Sequence, residues 1–145
     1  MKELFTEVEI AASPEVVWDI LTDFESYSDW NPFITRASGK VEAGAQLEIY
    51  IEPPGAKPMT FKPTVKHVDP GKSFRWLGRV MLPGIFDGLH VFELSKHGEG
   101  GTRLIHREEF RGFMVPLLWK SLDTQTRAGF EAMNAALKER AEQAA

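Results

Sequence analysis

The spacing of hydrophobic positions along the 145-residue chain changes period three times, and each change marks a new kind of element. Leu4, Thr6, Val8 and Ile10 alternate with Phe5, Glu7, Glu9 and Ala11, the two-residue period of a first strand. Ser13-Pro14-Glu15 then supplies a side-chain cap, a proline suited to the first turn and an acid at the positive end of a helix dipole. Val17, Ile20, Leu21 and Phe24 follow at helical spacing. Asp23 to Trp30 reads as a second short helix or turn that stops near Asn31, because the residue before Pro32 is pushed out of the helical region. Period two returns over Phe33–Ser38, Gln46–Glu52 and Met59–Val68. Pro63 removes a ladder hydrogen bond and places the last of these at an edge or a bulge. Asp69-Pro70-Gly71-Lys72 fits a type II turn. Ser73–Arg79, Phe86–Lys96 and Thr102–Phe110 complete the strands, with an apolar loop at Met81–Ile85.

The final change of period gives the element that the others must cover. Val115, Leu118, Leu122, Thr126, Gly129, Met133 and Leu137 recur every three or four residues, widened by Trp119 and Phe130. With Pro116 in its first turn, the helix runs to about Ala141, a length of about 39 Å. Such a helix cannot bury its apolar face alone. Strands that face it on one side define an α+β domain of two layers, spanning residues 1–145. Thr126 and Gly129 interrupt the stripe where large side chains would fill space. They mark either close backbone approach or a hollow beneath the helix.

The last hairpin carries polar groups on its core side. His90, Phe92 and Leu94 share one face, as do Thr102, Leu104, His106, Glu108 and Phe110. If Lys96 pairs with Thr102, Phe92 opposes His106 and His90 opposes Glu108, with Cβ atoms about 5 Å apart. A carboxylate in an apolar layer shifts its pKa or costs several kcal/mol. Glu108 beside a histidine is therefore either a structural pair lining a wet pocket or an acid–base pair. Two histidines and a carboxylate also match the composition of a non-haem iron site, but no spacing singles that out and no metal or cofactor is expected. The opposite face, Arg103, Ile105, Arg107, Glu109 and Arg111, reads as a solvated charge ladder.

Composition narrows the classes. A net charge of −4 lacks the concentrated basic face of a nucleic-acid binder, and the absence of cysteine excludes disulfides and thiolate chemistry. No apolar run is long enough for an integral membrane segment, and the acidic N-terminal residues hold no signal core. The expected location is cytoplasmic.

Several segments, taken in order, resemble the START-like (SRPBCC) superfamily, the polyketide cyclase/dehydrase and lipid transport group. They are Ser13-Pro14-Glu15-Val16-Val17-Trp18, Tyr27 with Trp30-Asn31-Pro32, Arg75-Trp76, Pro83-Gly84, Gly88 to Leu94 and Gly101 to His106. The resemblance implies a helix-grip fold. In it a curved antiparallel sheet of about six to seven strands wraps the long C-terminal helix, two short helices follow the first strand, and a hydrophobic cavity lies between. It carries over no catalytic residue.

The expected function is binding of a small-to-medium hydrophobic ligand, such as a lipid, polyketide or aromatic metabolite. The expected wall residues are Trp30, Phe33, Leu47, Ile49, Phe61, Trp76, Phe92 and Phe110, with Leu122, Thr126, Gly129, Phe130 and Met133 from the helix. Met81–Phe86 and Phe113–Trp119 are candidates for the mouth. An alternative is a cyclase, dehydratase or hydrolase using Glu108 with His90 or His106 as acid and base. A third is a protein-interaction or stress-response module that engages a partner through Arg103, Arg107 and Arg111.

Overall fold

A computed structural model describes residues 1–80 and 82–145, so Met81 lies outside the described residues. Strand β1 (Lys2–Ile10) leads to α1 (Pro14–Thr22), a single tight turn (Phe24–Ser26) and α2 (Tyr27–Trp30). The strands are β2 (Ile34–Ser38), β3 (Glu48–Ile51), β4 (Met59–Phe61), β5 (Thr64–Asp69), β6 (Ser73–Val80), β7 (Phe86–His97) and β8 (Gly101–Arg111). The terminal helix has three parts: α3 (Val115–Ser121), a π-helical turn (Leu122–Thr126) and α4 (Arg127–Ala144).

Local chemistry sets these boundaries. Ser13 Oγ accepts from the Val16 N–H at 3.3 Å, with Pro14 opening α1. Asn31 ends α2, and its side-chain oxygen accepts from the N–H groups of Phe33 and Ile34, which turns the chain into β2. Gly71 has φ +78°, and Lys72 N–H donates to the Asp69 carbonyl at 2.9 Å, as a type II turn requires. Two expectations change in detail. Met59–Val68 is not one strand but β4 and β5, because Pro63 has no N–H to give the ladder, and the strand count rises to eight among the described residues. The terminal helix is not uniform, since a π turn replaces the α pattern from Leu122 to Thr126.

All pairings are antiparallel. One ladder runs β1-β8-β7-β6-β5 and a second runs β2-β3-β4, joined by a bridge between Gln46 and Thr64. The sheet curves against the C-terminal helix, and α4 packs on β1 and α1. The β7–β8 register pairs Lys96 with Thr102, Phe92 with His106 and His90 with Glu108, as the hairpin pattern predicts. Two inward rows cross the sheet as a result. Phe74, Phe92, His106 and Thr6 form one; Trp76, His90, Glu108 and Leu4 form the next.

Gly129 is explained by close approach, because a Cβ there would overlap the Phe33 ring. Thr126 is explained by the hollow, since it faces one. No helix among the described residues is long and apolar enough to cross a membrane.

Candidate functional site

Between the sheet and the front of the terminal helix lies a cavity of about 390 Å³. The period-two alternation of β6, β7 and β8 delivers Trp76, Gly78, Val80, Phe86, Gly88, His90, Glu108 and Phe110 to its floor. The second sheet contributes Ile49, Ile51, Met59 and Phe61, while Leu118, Leu122, Gln125 and Thr126 form the roof. The π turn supplies three of those four roof residues, and such turns recur at functional sites. Gln125 Nε2 donates to the Gly55 carbonyl at 2.9 Å and so ties the roof to the β3–β4 loop. Exposed apolar side chains, Leu82, Phe113 and Leu117, stand on the segments beside it.

The expected wall residues divide into two groups. Phe33, Ile49, Phe61, Trp76, Phe110, Leu122 and Thr126 line the cavity, together with His90 and Glu108. Leu47, Phe92, Gly129, Phe130 and Met133 do not; they are buried in the packed core, and Trp30 packs edge-on against Tyr27. Phe92 lies one row too far toward the hairpin loop, and Phe130 and Met133 lie past the π turn, where α4 closes onto the sheet. His106 is also absent from the wall. It is fully buried and stacked on Phe130, with ring centroids 4.0 Å apart.

A chain of polar groups nonetheless runs from the cavity into that core. His90 Nδ1 stands 3.6 Å from Glu108 Oε1, beyond hydrogen-bond length. His90 Nε2 meets His106 Nε2 at 2.7 Å, and His106 Nδ1 meets Asn134 Oδ1 at 2.8 Å. Asn134 Nδ2 donates to Thr6 Oγ1 at 2.9 Å, and Thr6 Oγ1 donates to the His106 carbonyl at 2.6 Å. Burial dominates the titration of all three ionisable members. It pushes the Glu108 carboxyl up to about 8 and holds His106 down at about 3 against an opposing hydrogen bond from Asn134. His90 is also held well below the usual imidazole range, by burial first and by His106 second. Near neutral pH the acid and both imidazoles are therefore uncharged. The two facing Nε2 atoms are already bonded to each other, and no group of three or more metal-ligating side chains gathers among the described residues.

Sequence reasoning missed three members of this site. Asn134 sits beside Met133 on the buried stripe of α4, so a polar residue on an apolar helix face was the available signal. Thr6 gave none beyond its inward parity on β1. Gly88 is the third: a Cβ there would overlap the Glu108 carboxyl, so the missing side chain is the seat for that group. Glycine inside a strand was its signal. On the outer face, Arg107 pairs with Glu3, Glu93 and Glu109 at 3.1, 3.1 and 2.6 Å, and Arg103 pairs with Glu7, so the ladder is neutralised internally.

A helix-grip α+β fold with an apolar cavity and an acid–imidazole pair on its wall defines the class. The chain belongs to the family described as polyketide cyclase / dehydrase and lipid transport, which it matches over residues 1–142. Solved structures agree on the fold. The Zhui aromatase/cyclase from Streptomyces sp. R1128 superposes with a TM-score of 0.79 at 16% identity, covering 98% of this chain and 94% of that one. A START superfamily protein from Mycobacterium smegmatis gives 0.73 at 24% identity, covering 99% of both chains. A point mutant of norcoclaurine synthase from Thalictrum flavum gives 0.75 at 16% identity, covering 99% of this chain and 95% of that one. No curated protein matches the chain by sequence.

Proposed function

We propose that this protein binds a small-to-medium hydrophobic molecule in the cavity between the sheet and the front of the terminal helix. The observation that carries the reading is the shape and chemistry of the wall. A space of about 390 Å³ is bounded almost wholly by apolar side chains, with Glu108 and His90 together at one place on it. That is the common pattern of a small-molecule site, an apolar enclosure with few convergent polar groups. Membership of a family described by cyclases, dehydrases and lipid transport supports the same class of ligand.

Native mass spectrometry of the purified protein, compared with its denatured extract, tests this directly. The expected result is an apolar molecule retained by the folded chain and released on unfolding. Hydrophobic compounds added at a hundredfold excess over their dissociation constant should stabilise the fold by about 2.7 kcal/mol. An empty protein that also shows no stabilisation across a broad hydrophobic panel overturns the reading.

A second reading, proton-transfer catalysis on the bound molecule, is favoured by one observation. Glu108 faces the cavity as a neutral acid whose pKa of about 8 lies close to working pH. Glu108 would give its proton to a ligand oxygen and recover one from a ligand carbon. His90 is the neighbouring base, and His106 acts through His90 as a positioning residue. Glu108→Gln should abolish turnover while leaving binding largely intact. Turnover that survives the substitution rules this reading out.

A further inference from the structure

The protons along the polar chain behind the cavity can be assigned from its inner end, on β1. Thr6 Oγ1 lies 2.6 Å from the His106 carbonyl, which can accept but not donate, so the hydroxyl proton sits between those two oxygens. The reversed arrangement would press two bare oxygens together at that distance. Thr6 then accepts from Asn134 Nδ2 at 2.9 Å, and the amide oxygen of Asn134 faces His106 Nδ1 at 2.8 Å. An oxygen there requires Nδ1 to carry the one proton of the neutral ring. His106 Nε2 is therefore bare and accepts from His90 Nε2–H at 2.7 Å. His90 Nδ1 is bare in turn, and it is the acceptor that the Glu108 carboxyl faces at 3.6 Å.

Packing holds each link in place. His106 stacks on Phe130 and Phe92, and His90 stacks on Phe92, so neither ring can turn over without breaking those contacts. The Glu108 carboxyl is seated over Gly88. The direction of the chain decides what Glu108 meets. A ring presenting Nδ1–H would donate to a carboxylate and hold it ionised. The bare nitrogen repels a carboxylate and accepts from an acid, so an acid and a base stand side by side on the cavity wall.

We infer that Asn134, held by Thr6, is a positioning residue that fixes one tautomer in each buried imidazole and so makes Nδ1 of His90 the base beside the Glu108 acid. The inference rests on the proton-transfer reading proposed above and names the residues that orient its base. In the step they serve, the Glu108 O–H bond breaks as its proton bonds to one atom of the bound molecule. A second atom of that molecule gives a proton to His90 Nδ1. The carboxylate and imidazolium left behind cancel in charge, and return of the proton from Nδ1 to the carboxylate restores both groups. Throughout, His90 Nε2–H stays on His106, whose bare Nε2 supports the transient cation. Asn134 and Thr6 lie off the cavity wall and act through the two rings.

Nitrogen NMR of the imidazoles in the intact protein, with the Glu108 carboxyl titrated by carbon NMR, tests this without any ligand. In the parent protein His90 Nε2 and His106 Nδ1 should carry protons, and the other two ring nitrogens should be bare. Asn134→Leu, close in shape, removes the oxygen that holds His106 Nδ1–H. Thr6→Val removes the hydroxyl behind Asn134, and Thr6→Ser keeps it. Asn134→Leu and Thr6→Val should each turn the single-tautomer pattern into a mixture. The Glu108 midpoint should then fall, because part of the population donates Nδ1–H to the carboxylate. Thr6→Ser should keep the parent pattern. A loss of packing alone would lower the melting temperature without moving these signals, and if Asn134→Leu does not fold, Thr6→Val carries the same test. Opposite tautomers in the parent protein, or parent tautomers retained in the folded variants, overturn the inference. If the tautomers behave as stated but Glu108→Gln leaves turnover intact, the proton-transfer reading fails and the assignment of the protons stands.

Discussion

The two halves of the space between sheet and terminal helix are built from the same strands and end differently. Toward the β7–β8 loop, Phe74, Phe92, Leu94 and Leu104 meet Phe130, Met133 and Leu137 of α4, and every one of them is buried. Toward the other end, Trp76, Gly78, Gly88 and Phe110 meet Leu118, Leu122 and Thr126 across open space. The alternation of inward residues is unbroken from one half to the other. What differs is volume. Gly78 and Gly88, paired across β6 and β7, present no side chain to the interior, and the π turn replaces regular helix above them. The boundary is polar: His90, His106 and Asn134 lie between solid core and cavity. A fold can thus keep its hydrophobic pattern and still hold a hollow, by removing side chains from one row and widening one helical turn.

The sharpest break in this comparison is between equivalent truncations. Phe130→Ala removes a ring that stacks on His106 and meets Phe33 edge-on, and should cost about 3–5 kcal/mol in denaturant unfolding. Leu122→Ala, on the cavity roof, should cost roughly 1 kcal/mol, because the space beside it is already empty. Equal costs would mean that the two halves are packed alike.

The pH dependence of stability probes the boundary between them. Folded Glu108 keeps its proton up to about 8, against an ordinary value of 4.5 when unfolded. Between those values the folded state binds more protons, so the contribution is full below about 4.5 and is lost as pH rises through about 8. The histidines act in the opposite sense. His106 at about 3 and a depressed His90, against an ordinary 6.5, mean that stability falls as pH drops below 6.5. Stability should therefore peak near neutral pH and decline on the alkaline side by at most about 1.4 kcal/mol per pH unit. Glu108→Gln should flatten the alkaline decline and steepen the rise between about 4.5 and 6.5, where Glu108 opposes the histidines. An unaltered alkaline slope in that variant would place the Glu108 titration elsewhere.

A smaller effect is expected at the roof. Gln125→Ala deletes an exposed hydrogen bond to Gly55 and should change stability by no more than about 0.5 kcal/mol. Exchange of a bound hydrophobic molecule should nevertheless quicken, as followed by stopped-flow fluorescence. Unchanged exchange would show that the roof contact does not limit passage.

Much of this was readable from periodicity, because each strand and helix buries one face and the spacing reports it. The β7–β8 register followed from pairing Lys96 with Thr102 across the five-residue loop, and it brought His90 to Glu108. The cavity wall was less readable. Aromatic residues one row apart, such as Trp76 and Phe92, share the same inward parity, and only the volume around them separates wall from core. The π turn had no sequence signature beyond the small and polar stretch near Thr126. Asn134 and Thr6 belong to the site through contacts between the two ends of the chain, which no local pattern carries.

Gly78→Leu tests most directly whether the hollow is the binding site. Gly78 faces the cavity, and a Cβ there would have no neighbour closer than 3.9 Å, so the larger side chain has room without distorting β6. Calorimetric titration of one hydrophobic probe into the parent protein and the variant, with melting temperature recorded for both, is the measurement. Loss of binding with stability held or raised is the predicted result. Undiminished binding in a variant whose cavity is filled would contradict it.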